Sequence, residues 1–83
     1  MARQMFRFVG TGPGEYQVFG PDPDVEPLGM VRKGRGGWFN YVRLGPGEYR
    51  SVSHCPASRS RHEGAVCVAE ARKQVAAGRY DRA

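Results

Sequence analysis

The sequence predicts an α+β fold, an antiparallel β-meander of about five strands built on a duplicated hairpin, with one C-terminal helix packed on the sheet. Three observations support this prediction: a repeated strand-turn-strand pattern, a Gly-rich turn between two β-prone runs, and a helical pattern near the end of the chain. The 83 residues correspond to a single small domain, 1–83, because a chain of this length buries one core.

The repeat is the strongest of these signals. Segment 6–16, FRFVGTGPGEY, returns at 39–49 as FNYVRLGPGEY, so that Gly-Pro-Gly-Glu-Tyr is identical in both copies. In each copy an alternating aromatic and β-branched run precedes Gly-Pro-Gly, and a second β-prone run follows. Proline fixes φ at about −65° and glycine accepts positive φ, so the chain reverses there without strain. We expect two hairpins within one sheet.

The N-terminal hairpin covers residues 1–20. Alternation predicts a first strand over Arg3–Val9 and its partner over Tyr16–Phe19. Residues 21–27, PDPDVEP, contain three prolines, which remove backbone donors and restrict the residues that precede them. An acidic, proline-rich surface loop is therefore expected after the hairpin.

Residues 28–54 form the predicted centre of the fold, a three-stranded meander. Strand character resumes at Leu28–Lys33, and GRGG at 34–37 turns the chain. Trp38–Arg43 then runs back antiparallel, and Tyr49–Ser53 follows the second Gly-Pro-Gly turn.

A helix is predicted over residues 60–78. Ser60 and Glu63 match a capping box, in which the serine hydroxyl accepts from the third helical amide. Gly78 has the position of a glycine that ends a helix. A stripe of mostly small residues at helical spacing is suited to close packing on a sheet. This stripe consists of Ala65, Cys67, Val68, Ala71, Arg72 and Val75.

Charge is unevenly distributed along the chain. The formal net charge is +5, and residues 29–54 carry five Lys and Arg side chains against Glu48 alone, whereas residues 1–28 are acidic. Clustered cations are typical of proteins that bind polyanions, because phosphate contacts release condensed counterions. A net charge of this size is also ordinary for a soluble domain, so its concentration in one segment is the more informative observation.

Segment 29–78 resembles the arm-type DNA-binding domain at the N-terminus of many tyrosine integrases. The resemblance is carried by GMVRKGRGGW at 29–38, YVRLG at 41–45, a basic third strand, and a helix that begins near Glu63. It implies a sheet that enters the major groove of DNA while the helix packs behind it. The chain departs from the family at 53–58, where an aromatic residue and Thr are usual, and no recombinase catalytic domain follows, so integrase activity is not expected.

The resemblance also implies which side chains point toward the helix. Val31, Trp38 and Val42 would face it, and the alternate residues would face DNA. Duplex DNA contacts are then expected on the sheet and its turns, from Arg32, Lys33, Arg35, Tyr41, Arg43 and Arg50.

The repeat adds a complication, because Phe6 and Phe8 correspond to Phe39 and Tyr41. If both hairpins share one sheet, these four rings form an aromatic layer on the outer face. Such a layer is usually a core, and the alternative is a platform on which single-stranded bases stack. In a further arrangement the N-terminal hairpin folds over the meander or pairs with a second protomer, which would make a homodimer.

Four residues invite a zinc interpretation: His54, Cys55, His62 and Cys67 lie within fourteen residues. Their spacing contains no Cys-x-x-Cys pair, so we expect no metal and free thiols in a reducing cytoplasm. A Cys/His catalytic pair would need a cleft that a sheet with one helix does not offer, and no nucleotide-binding fingerprint is present. We expect no catalytic residue, no cofactor and no enzymatic activity.

Two functions from different classes follow. The favoured one is a small DNA-binding protein, and the alternative is a phage-type module that binds and inhibits a host protein through a sheet edge or the aromatic layer. Arginine outnumbers lysine eleven to two, which is typical of GC-rich genomes and indicates an actinobacterial or phage origin. No apolar run approaches the roughly 18 residues of a membrane span, so we expect a cytoplasmic protein without a membrane partner.

Overall fold

The computed structural model describes residues 6–20 and 26–79. The elements in these residues are β1 (Arg7–Gly12), β2 (Glu15–Phe19), β3 (Gly29–Gly34), β4 (Gly37–Gly45), β5 (Glu48–Ser51), β6 (Ala57–Ser58) and α1 (Arg61–Ala76). The first five strands form one antiparallel sheet in chain order, β6 pairs with β4, and α1 packs mainly on β3 and β4. The predicted α+β class, the meander and the C-terminal helix are confirmed.

The boundaries differ from the predictions at a few places. Strand β1 ends at Gly12, beyond the predicted Val9, while residues 3–5 of the predicted strand lie outside the described residues. Most of the predicted acidic loop, residues 21–25, also lies outside them. Strand β6 was not predicted, because two residues carry no periodic pattern.

The helix begins as its capping signal predicts. The Ser60 hydroxyl accepts a hydrogen bond from the Glu63 amide at 3.1 Å, which satisfies one of the unpaired donors of the first turn. At the other end Ala77 is the last cap residue, and Gly78 follows with a φ of +72°. A positive φ strains other residues, so glycine is the favoured residue at this stop.

The two copies of the repeat form hairpins of the same geometry. Gly12 pairs with Glu15 and Gly45 pairs with Glu48, and each hairpin has a register shift at the same place. Gly14 and Gly47 take φ values of +68° and +67°. The identical Gly-Pro-Gly-Glu-Tyr segments therefore make identical turns.

The two copies nevertheless face opposite ways. One strand, β3, separates them, so the second copy begins on a strand that runs in the reverse direction. To superpose one hairpin on the other, it must be rotated by a half turn about an axis that lies in the sheet and is perpendicular to the strands. This rotation exchanges the two faces of the hairpin. Tyr16 lies on the helix side, paired with the buried Val31, whereas Tyr49 lies on the other side, where its hydroxyl accepts from Gln17 at 3.3 Å.

This half turn overturns the predicted aromatic layer. Phe6 and Phe8 pack against the core on the helix side, while Phe39 and Tyr41 lie on the face away from the helix. The prediction that one layer holds all four rings is wrong, because equivalent positions in the two copies have opposite orientations.

The core lies between the helix and the middle of the sheet. Val31 and Val42 are fully buried and Trp38 packs against them, as predicted. Val18 of β2 is also fully buried, so the N-terminal hairpin contributes to this core. The core consists of Val18, Val31, Val42, Val52, Ala65, Val68 and Ala71.

Asn40 is a fully buried polar residue in this apolar interior. Its Nδ2 donates to the Cys55 carbonyl at 2.9 Å and to Ser58 Oγ at 2.7 Å. Its backbone amide donates to the Pro56 carbonyl, and its own carbonyl accepts from the Val52 amide, both at 3.0 Å. Asn40 thereby holds the connection between β5 and β6 against β4.

The Asn40 Oδ1 has no hydrogen-bond partner among the described residues. It lies where a Cβ on Gly64 would be, so the helix packs closely on it at this glycine. The absence of a Cβ on Gly64 lets the helix approach the sheet at this point.

Cys55 and Cys67 form a disulfide, with Cα atoms 6.1 Å apart. The expectation of free thiols is wrong, because the helix begins directly after β6 and brings Cys67 back over the loop that Asn40 holds. Neither sulfur is then available as a thiolate metal ligand. The described residues contain no group of three His, Cys, Asp or Glu side chains arranged to hold a metal ion.

Within the described ranges, 6–20 and 26–79, no helix combines the length and the apolar character needed to cross a bilayer.

Replacing Gly64 with alanine tests the close contact between helix and sheet. Gly→Ala normally stabilises a helix by about 0.5–1 kcal/mol, but here the added Cβ would overlap Asn40 Oδ1 and lie 3.1 Å from Val31 Cγ1. We expect the free energy of unfolding in urea to fall by roughly 1–3 kcal/mol. Gly10→Ala is the control, since its Cβ would meet Tyr16 at 3.8 Å. A rise in stability for Gly64→Ala would contradict this packing.

Removing the disulfide tests its contribution to stability. The bridged cysteines are 12 positions apart, and closing a loop of this size stabilises the folded state by about 3 kcal/mol in the chain-entropy model. We expect the Cys55→Ala/Cys67→Ala variant to lose about this much in chemical denaturation. A reductant should destabilise the wild type and leave the double variant unchanged. If the reductant changes the stability of the wild type and of the double variant equally, the bridge is contradicted.

Candidate nucleic-acid interface

In residues 6–20 and 26–79, one face of the sheet has no helix packed on it. Among the described residues α1 is the sole layer on the sheet, and it lies on the opposite side. We call the uncovered side the open face. Its two exposed large apolar side chains are Val9, 45% exposed, and Phe39, 38% exposed. By strand register the open face comprises Arg7, Val9, Glu15, Gln17, Phe19, Met30, Arg32, Phe39, Tyr41, Arg43, Tyr49 and Ser51.

The Phe39 ring is held against the backbone of the neighbouring strand. A Cβ on Gly34 would collide with this ring, so the ring occupies the space that a side chain at Gly34 would fill. An aromatic ring that covers a cross-strand glycine is a known way of stabilising a sheet. One side of the Phe39 ring is thus supported by backbone, and part of the ring remains accessible to a ligand.

Two guanidinium groups lie beside aromatic rings of the open face. Arg32 Cζ is 5.8 Å from the centroid of Tyr41, and its Nη2 donates to the tyrosine hydroxyl at 3.4 Å. Arg7 Cζ is 5.3 Å from the centroid of Phe19. Contacts of this kind orient the planar guanidinium and leave other N–H groups available for anions.

The aromatic residues of this face have spacings set by sheet geometry. Phe39 and Tyr41 are two residues apart on β4, a distance of about 6.7 Å along the strand. Phe19 lies on β2, two strands away from β4, or about 9.6 Å across the sheet. By register Phe19 is level with Arg43, which is four residues, or about 13 Å, along the strand from Phe39. Phe39 and Tyr41 are therefore neighbours, and Phe19 lies apart from them on the same face.

The structure places the predicted DNA-contacting residues at several different locations. Arg32 and Tyr41 are together on the open face. Arg35 is exposed in the turn between β3 and β4, and Lys33 is exposed next to that turn with helix-side register. Arg50 is half-buried, and its register also places it on the helix side.

Arg43 has a different environment from the other predicted contacts. Its side chain is 9% exposed, and its Nη1 forms an ion pair with Glu26 Oε2 at 2.8 Å. Glu26 is 71% exposed and belongs to the segment that precedes β3. The Arg43 charge is compensated within the protein, which leaves little of it for a phosphate.

Arg7, Phe19 and Phe39 belong to the open face and were missed as site residues by sequence reasoning. Phe39 was assigned only to an aromatic layer, because its position over Gly34 depends on the register between β3 and β4. Arg7 and Phe19 gave no signal, because their pairing depends on the register between β1 and β2.

A second aromatic cluster lies on the helix side, beyond the core. Phe8 and Tyr16 meet edge to face with centroids 6.4 Å apart, and Tyr16 lies 6.0 Å from Trp38. Arg61, in the first turn of α1, places its Cζ 4.3 Å from the Phe8 centroid and 4.9 Å from that of Tyr16. This cluster joins the N-terminal hairpin to the start of the helix.

Comparison with known protein families, with curated proteins and with solved structures finds no match to this chain. The chemistry of the open face is therefore inferred from its own residues.

Truncating Arg43 tests whether its role is structural. We expect Arg43→Ala to lower the free energy of unfolding by roughly 1–3 kcal/mol, because the buried stem and the ion pair are both lost. Arg32→Ala, at an exposed position on the same face, should lower it by less than about 1 kcal/mol. Chemical denaturation of the two variants measures the difference. Equal losses would show that burial of Arg43 adds nothing to stability.

Proposed function

We propose that the protein binds single-stranded nucleic acid through the open face. The observation that carries the proposal is the accessible Phe39 ring, supported from below by Gly34 and next to the Arg32–Tyr41 pair. Bases stack on exposed aromatic rings whatever their identity, and cations beside the rings contact the phosphates that link them. RNA-binding sheets use the same combination of strand-borne rings and neighbouring cations.

The width of the sheet favours a single strand over a duplex. Five strands in one sheet span about 19 Å between the outer strand axes, whereas the major groove is about 12 Å wide. An entire face of this width does not enter the groove. A flexible single strand, in contrast, can lie across the face and present its bases to the rings.

The charges of the open face support the same function. Arg7 and Arg32 are exposed beside their rings, and in the described residues neither guanidinium forms an ion pair with a carboxylate. Glu15, the register partner of Arg32 on β2, accepts a hydrogen bond from Thr11 at 3.2 Å. The net charge of +5 adds a general attraction toward polyanions.

Fluorescence anisotropy with labelled 12-nucleotide DNA and RNA strands and the matching duplex, at two salt concentrations, tests the proposal. We expect single strands to bind more tightly than the duplex. Phe39→Ala should weaken binding by roughly 5- to 150-fold, since stacking contributes about 1–3 kcal/mol per base. Phe39→Tyr should retain most of the affinity, because it keeps the ring. Arg32→Gln should also weaken binding, because it removes a cation beside the rings. Lys73→Gln, which removes an exposed charge on the helix, is its control.

Two outcomes would contradict this assignment. Tighter binding to the duplex, unaffected by Phe39→Ala, would favour the arm-type DNA-binding mode. No binding of any nucleic acid at low salt would remove this class of function and favour docking on a protein partner.

A further inference from the structure

Four cationic side chains gather at one end of the sheet, and we call this region the basic end. They come from three separate segments: the end of β3 and its turn, the connection from β6 to the helix, and the first turn of α1. The basic end consists of Lys33, Arg35, Arg59 and Arg61, all of which are exposed.

Backbone contacts bring these segments together. Ser58 pairs with Trp38, and its carbonyl lies 2.8 Å from the point where a Cβ on Gly37 would be. The residue after Ser58 is Arg59, and Arg35 is two residues before Gly37, so the two arginines stand on adjoining backbone. The Lys33 amide donates to the Gly14 carbonyl at 2.7 Å, which adds the tip of the first hairpin to this end.

The charges of the basic end are not compensated within the described part of the chain. None of the four cations has a carboxylate within ion-pair distance there, in contrast to Arg43 and Glu26. Exposed cations gathered from separate segments without carboxylate partners repel one another, and a polyanion relieves that repulsion.

Arg61 is the best oriented of the four. Its guanidinium lies within cation–π distance of Phe8 and Tyr16, and in the described residues its N–H groups have no hydrogen-bond acceptor. Attraction to two aromatic rings restricts the motion of the group. A guanidinium fixed in this way is prepared for bidentate contact with a phosphate.

The basic end is close to the proposed stacking site. Phe39 is two residues from Gly37, the first residue of β4 after the turn, which corresponds to about 7 Å along the strand. A nucleic acid strand whose base stacks on Phe39 therefore reaches Arg35 and Arg59 as soon as it crosses the turn.

We propose that the basic end binds the phosphates of a single strand that passes from the open face over the β3–β4 turn. This inference rests on the proposed function. It assigns two separate tasks to two surfaces: the rings of the open face stack bases, and the basic end holds the sugar-phosphate backbone without regard to sequence.

The test compares two double variants that remove the same charge. Arg35→Gln/Arg59→Gln changes the basic end, and Lys73→Gln/Arg79→Gln changes exposed residues at the far end of the helix. The affinity of each for a 12-nucleotide DNA strand is measured at several salt concentrations. We expect the slope of log affinity against log salt to become shallower by about 1.4 for the first variant, since single strands give about 0.7 per phosphate contact. The second variant should keep the wild-type slope.

A strand with a neutral backbone, such as a peptide nucleic acid, separates the two surfaces. Its affinity should be unchanged by Arg35→Gln/Arg59→Gln and reduced by Phe39→Ala. If both double variants have equal salt slopes and Phe39→Ala weakens binding, the basic end does not bind phosphates, and the proposed function is retained. A shallower slope for the first double variant with no effect of Phe39→Ala would overturn the stacking site instead. Absence of binding to any strand would overturn both.

Discussion

The contact of Asn40 with the helix and with the loop beside it organises the packing of this domain. A buried amide needs hydrogen-bond partners, and the Asn40 side chain finds them in the backbone of Cys55 and the hydroxyl of Ser58. This fixes the loop that carries one half of the disulfide. Gly64 then lets the helix approach so closely that Cys67 reaches that loop. Asn40 thereby connects β4 to the loop that carries Cys55 and to strand β6.

The half turn between the two hairpins gives identical segments different tasks. In the first copy, the tyrosine of Gly-Pro-Gly-Glu-Tyr is Tyr16, which joins the helix-side cluster under Arg61. In the second copy it is Tyr49, whose hydroxyl accepts from Gln17 across the open face. One strand, β3, separates the two copies, so equivalent residues lie on opposite faces of the sheet. The tyrosine of the first copy therefore lies on the helix side, and that of the second copy lies on the open face.

Arginine serves three purposes here, and its surroundings decide which. Arg43 is nearly buried and neutralised by Glu26, so it belongs to the structure of the sheet. Arg61 lies within cation–π distance of two rings at the edge of the core. Arg32 lies in the open beside Tyr41. A guanidinium retains its charge in all three settings, and the availability of that charge to a phosphate depends on burial and on the nearest carboxylate.

Local signals in the sequence were sufficient for the strands, the two Gly-Pro-Gly turns and the capped helix, because each depends on residues that are neighbours in the chain. The placement of Val31 and Val42 toward the helix, and of Arg32 with Tyr41 away from it, came from the resemblance to arm-type domains and not from a local signal. The orientation of Phe8, the Cys55–Cys67 bridge and the burial of Arg43 emerged from the folded arrangement. Each of these depends on strand order, on register or on contacts between distant segments, and periodicity along a chain carries no information about them.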